Sequence, residues 1–169
     1  MEKTHKINKD NLEVLKKKIN DSDIKFDSKI ALFLLDKIYS LNFNKFNEDS
    51  FIKIKGNQFI YFNLKPNGSS ISLKIELFNN TIEMYVADAE APVYDQYLIK
   101  KNRGKIIINL NKWLSFKIYR STSFCGKRIK KEVFYIVDSN QKDVIHKSFN
   151  LKFLFCKTLK VKHREYNNW

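Results

Sequence analysis

The sequence predicts an α+β fold in which N-terminal helices pack on a largely antiparallel β-sheet, all within a single domain of 169 residues. Two observations lead there. Apolar residues recur at helical spacing up to about residue 45 and at alternate positions from Phe51 onward, so 1–45 is expected to be helical and 50–161 mainly β. The stretch from Ser69 to Asp88, moreover, reads as one hairpin whose two arms agree residue by residue. A two-residue turn at Asn79-Asn80, a residue type that tolerates positive φ, sets Leu73 opposite Val86, Ile75 opposite Met84 and Leu77 opposite Ile82. Every apolar partner then falls on one face, and a slip of one residue would turn one arm's apolar set to water. The same register places Lys74 opposite Tyr85 and Glu76 opposite Glu83, a like-charge pair that asks for a basic cover.

In chain order, Asn8 or Asn11 caps a first helix to about Asn20, with Leu12, Leu15 and Ile19 on one face. Asp27 or Ser28 opens a second helix to about Leu41, whose Ile30, Phe33, Leu34, Ile38 and Leu41 make a wide stripe for the core. Phe51 to Lys55 and Gln58 to Leu64 are strands joined at Gly56-Asn57, and Lys65-Pro66-Asn67-Gly68 is a turn with proline pre-set at its second position. With the hairpin these make a four-stranded meander. Lys105 to Leu110 and Trp113 to Tyr119 also read as strands, and Ser121 to Lys127 as a loop. Val133 to Val137 is a strand closed by Asp138-Ser139-Asn140-Gln141, with Asp143 to His146 returning antiparallel. Phe149 to Val161 fits helix or strand, with strand favoured, and Lys160 to Trp169 is expected to fray. The expectation is one sheet of six to eight strands.

At 43% hydrophobic residues the chain can bury a core of its own despite a net charge of +14. That charge invites a polyanionic partner, but 28 Lys stand against 4 Arg. A surface that reads nucleic acid leans on arginine, so a lysine surplus is equally well explained by AT-rich codon usage. Cys125 and Cys156 are far apart and no apolar leader follows Met1, which reads as two free thiols in a reducing cytoplasm. The longest apolar run, Ile30 to Leu35, is far short of the roughly 18 residues that cross a bilayer.

Charge is segregated. Between Lys74 and Lys100 there is no basic residue, while Glu76, Glu83, Asp88, Glu90 and Asp95 fall there with Tyr85, Tyr94 and Tyr97 interleaved. Tyrosine beside carboxylates on a loop held by a sheet is the chemistry of a recognition patch for a cationic surface. Glu83, Tyr85, Asp88, Glu90, Tyr94, Asp95 and Tyr97 are therefore the candidate partner-binding residues.

Other chemistry is weaker in the sequence. Asp88 and Glu90, with Glu76 or Asp95, could hold a divalent metal in a nuclease-like site, but lysine is locally excluded. Arg120-Ser121-Thr122-Ser123 resembles the Ser-Thr-Ser strand of ADP-ribosyltransferases, yet the downstream Glu-x-Glu of those enzymes is missing, so these read as loop hydroxyls. The histidines and cysteines lack paired zinc spacing, and 4 glycines supply no phosphate-cradling loop, so neither metal nor cofactor is expected. Two basic runs, Lys127, Arg128, Lys130 and Lys131, and Lys160, Lys162 and Arg164, are candidate nucleic-acid contacts. The expected function is non-catalytic: a cytoplasmic bacterial neutralising or immunity-type protein that inhibits a toxin-like partner through the acidic, tyrosine-containing patch, an analogy of class alone. Nucleic-acid binding through the lysine-rich face is the alternative and a carboxylate-metal nuclease the third reading.

Overall fold

The computed structural model describes residues 2–68, 70–79, 81–86, 89–90, 96–138, 141–149, 151–153, 156–157 and 160–169. Helix α1 (Lys9–Asp21) starts where the Asn8 side chain accepts a hydrogen bond from the Asn11 N–H at 2.9 Å. Helix α2 (Ser28–Ser40) starts where Asp27 accepts from the Ile30 N–H at 3.0 Å. Each cap satisfies a first-turn donor that has no partner inside the helix. Leu12, Leu15 and Ile19 of α1 and Ile30, Ala31, Leu34, Leu35 and Ile38 of α2 enter one hydrophobic core with the inner face of the sheet. Burying each larger aliphatic side chain stabilises by about 1.5–3 kcal/mol.

The fold is α+β with antiparallel sheets, but there are two sheets rather than one. The first has six strands in sequence order: β1 (Glu2–Lys6), β2 (Phe51–Lys55), β3 (Phe59–Leu64), β4 (Leu73–Phe78), β5 (Thr81–Val86) and β6 (Ala89–Glu90). The hairpin has the expected register, Leu73 with Val86, Ile75 with Met84, Leu77 with Ile82 and Glu76 with Glu83, and Asn79 turns at φ 47°. Gly56 takes φ 57° in the β2–β3 turn. The turn after β3 is held by Asn67, whose amide donates to the carbonyls of Asn44 and Phe46 at 3.0 and 2.9 Å. Strand β1, Glu-Lys-Thr-His-Lys, contributes no core side chain, so no apolar alternation announces it.

The expected strand Lys105 to Leu110 and the start of the expected strand Trp113 to Tyr119 belong instead to one helix, α3 (Gln96–Ser115), and only Ile118 and Tyr119 of the latter are strand. Its buried residues, Ile99, Ile106, Leu110, Trp113 and Leu114, follow helical spacing. The run Ile106-Ile107-Ile108 looks like a strand until its burial is resolved: Ile106 is 1% exposed and Ile108 57%. Asp27, the α2 cap, also accepts Arg103 Nη2 at 2.8 Å, which ties α3 to the start of α2.

The second sheet has the order β10-β7-β8-β9, all antiparallel, from β7 (Ile118–Cys125), β8 (Arg128–Asp138), β9 (Gln141–Phe149) and β10 (Lys160–Tyr166). Ser121 to Cys125 is therefore strand and not loop; only Gly126-Lys127 turns, with Gly126 at φ 59°. The tail does not fray: β10 pairs along its whole length with β7, and Trp169 is buried against the Phe46 ring at 5.2 Å. Leu151–Phe153 is one turn of 3-10 helix, and the rest of the 149–161 tail before β10 lies largely outside the described residues. Cys125 and Cys156 are not free thiols but a disulfide that closes a separation of 31 residues. Cys156 is half-buried.

Candidate functional site

Alternation along the first sheet sends its aliphatic residues inward and leaves a distinct outer face. Phe51, Tyr61, Phe59 and Phe78 stand there in continuous ring contact, at 5.8 Å (Phe51–Tyr61), 6.4 Å (Tyr61–Phe59) and 6.2 Å (Phe59–Phe78). None of the four belongs to the buried core or to the apolar residues packed against it, and Phe78 is 49% exposed. In the row Tyr61, Glu76, Glu83 the register sets the carboxylates face to face. Tyr85 donates its hydroxyl to Glu83 Oε2 at 2.9 Å. Burial, and then the Glu83 charge, raise the Glu76 pKa above its ordinary value, while Lys74 acts in the opposite sense. Burial and the Glu76 charge likewise raise the Tyr61 hydroxyl.

Of the candidate partner-binding residues, Glu83 and Tyr85 therefore share one outer face, and the backbone pairing of Tyr85 with Glu90 places Glu90 at its edge on β6. Tyr97 is in the first turn of α3. Asp88, Tyr94 and Asp95 lie outside the described residues. Phe51, Phe59, Tyr61 and Phe78 are additions from the structure, and Glu76, read from the sequence only as the partner of Glu83, joins them on this face. The alternation that made Phe51 and Phe59 partners of the meander also put them opposite the core, and that was the available signal.

The two basic runs meet on the second sheet but do not form one surface. Lys160, Lys162 and Arg164 lie two apart along edge strand β10, all exposed. Lys127 and Arg128 sit at the β7–β8 turn, Lys130 Nζ donates to the Cys156 carbonyl, and Lys131 pairs with Ser123 toward the other face. The β10 row flanks a groove of about 330 Å³ whose lining includes Arg120, Thr122, Phe124 and Ile129. Lys162 Nζ stands 5.6 Å from the Phe124 ring centre and the Arg164 guanidinium 4.9 Å from that of Tyr166. Arg120 is committed internally: its Nε donates to Glu132 Oε1 at 2.8 Å and its guanidinium lies over Phe134. Burial disfavours the Arg120 charge, yet its hydrogen bonds with Tyr166 and Glu132 outweigh that and move its pKa up.

For the carboxylate-metal reading, Glu76 meets Glu83, while Asp88 and Asp95 fall outside the described residues. No group of three or more metal-ligating side chains occurs among the described residues. Among the described residues, no helix is long and apolar enough to cross a membrane. No protein-family model matches the chain, and neither curated proteins nor solved structures include a significant match to it.

Proposed function

We propose that this chain is a non-catalytic binding protein that takes a partner protein with a basic surface onto the outer face of its six-stranded sheet, in the manner of a bacterial neutralising or immunity-type protein that occludes a toxin. The observation that carries this reading is the junction on one face of a ring chain, Phe51–Tyr61–Phe59–Phe78, with the carboxylate pair Glu76–Glu83 and Tyr85. Aromatic anchors supply most of the energy of such interfaces, and carboxylates steer a cationic partner and set the on-rate. A rigid sheet holds the rings in place before binding, so little ordering entropy is lost on contact. The cysteines no longer support a cytoplasmic location, since a disulfide persists best in oxidising surroundings.

The test is binding to the purified product of the neighbouring gene, because neutralising proteins are commonly encoded beside their targets. Tyr61→Ala should speed dissociation, on the order of 2 kcal/mol for a central anchor. Glu76→Gln with Glu83→Gln should slow association and flatten its salt dependence. Binding untouched by both variants would remove this face from the reading, and binding lost only with Tyr94→Ala and Asp95→Asn would move the site to the segment after β6.

A further inference from the structure

The row of cations on β10 carries a second inference, independent of the protein-docking face. Residues two apart on a strand repeat every roughly 6.7 Å. That is the order of the separation between successive phosphates along an extended nucleic-acid strand. Lys160, Lys162 and Arg164 are such a series on an exposed edge strand, and none has an ion-pair partner among the described residues. Glu132, which pairs with Thr122 beside the groove, is held by Arg120 at 12% side-chain exposure, so it does not engage the cations of the row. Beside them the groove presents apolar surface: Phe124, and Ile129 at 44% exposure. An irregularity in the β7–β8 register between Ser123 and Phe124 breaks the pleat at that point, and the Cys125–Cys156 disulfide anchors the next residue. A ring held this way beside a line of cations is the arrangement that binds single strands, the backbone tracking the charges and a base stacking on the ring.

We propose that this groove binds single-stranded nucleic acid, with Lys160, Lys162 and Arg164 on successive phosphates and a base on Phe124. A duplex fits it poorly, because its bases are already stacked and closed to the ring. The bland alternative is that charges on β10 merely guard a sheet edge against pairing with another chain.

The experiment measures anisotropy of a labelled oligothymidylate against the whole, oxidised protein across a salt series. Replacing Lys160, Lys162 and Arg164 by Gln should weaken binding at least tenfold and lower the slope of log affinity against log salt by about 2, since each single-strand phosphate contact contributes about 0.7. Phe124→Ala should weaken binding roughly tenfold with the slope unchanged, the signature of a lost stack. A charge-matched control, Lys3, Lys6 and Lys17 to Gln, should bind as the parent does. If the triple β10 variant is not folded by circular dichroism, Lys162→Gln alone carries the test, with a slope change of about 0.7. The proposal fails if the control variant loses as much affinity as the β10 variant, if a duplex or heparin competes as well as single-stranded DNA, or if no binding occurs at low salt.

Discussion

On the six-stranded sheet the inner face is apolar from Ile52 to Met84, and what remains outside toward β4 and β5 is aromatic and acidic apart from Lys74. The four-stranded sheet buries Ile118, Phe134, Ile136 and Tyr166 at one end, and toward the other end the same face turns into Arg120, Glu132, Thr122, Lys162 and Phe124. From β2 to β5 the first sheet is held by burial. The second is held by burial at one end and by an ion pair, cation–π contacts and a disulfide at the other. Burial is nearly indifferent to salt and redox state, whereas the other three are not, so the two sheets should respond to different perturbations.

The largest effect should come from the shared core. Phe62→Ala, at a fully buried centre of the first sheet, should cost about 3–5 kcal/mol in denaturant unfolding, and Phe134→Ala a similar amount. A cost below 1 kcal/mol for Phe134 alone would mean that the second sheet contributes little to the cooperative unit. Next in size is the disulfide. Replacing Cys125 and Cys156 by Ser should cost about 3–4 kcal/mol for a loop of this length, with amide exchange accelerated in β7 and β8 more than in β3 and β4. Alkylation of the unreduced, denatured protein should find no thiol; quantitative labelling would show that the bond does not form.

Smaller again is the ion pair inside the second sheet. Arg120→Met leaves the Glu132 carboxylate buried without its partner and should cost about 1–3 kcal/mol, and rather less once Glu132→Gln is added. Equal costs for the single and double variants would show that Arg120 acts by packing on Phe134 alone. The smallest effect is on the outer face of the first sheet. The folded-state pKa of Glu76 is raised, so stability is fully present below the ordinary carboxylate pKa and declines as pH rises through the folded value. Glu76→Gln should therefore raise the melting temperature at neutral pH by an amount worth a few tenths of a kcal/mol, and the gain should vanish in acid. A variant destabilised at neutral pH would mean that the carboxylate pair is a structural bond and not a docking feature.

Much of the first half of the fold is legible in the residues because it is local. The hairpin register follows from a turn that Asn79 can adopt and from apolar positions two apart, and the helix starts at Asn8 and Asp27 follow from side chains that reach a backbone N–H three residues on. The second half depends on partners distant in sequence. Nothing within Ile106-Ile107-Ile108 distinguishes helix from strand; the decision comes from a core that accepts Ile106 and leaves Ile108 in water. Ser121 to Ser123 is strand because β8 and β10 arrive on both sides to satisfy its backbone. The same holds for function: acidic segregation and the basic runs are visible in the chain, but composition has no faces. The hairpin register already sets Glu76 beside Glu83; only the tertiary structure adds the row of aromatic rings on the same face. Only it splits one basic run while lining up the other, and brings Cys125 to Cys156, because strand pairing and core packing decide which side of a sheet each residue meets.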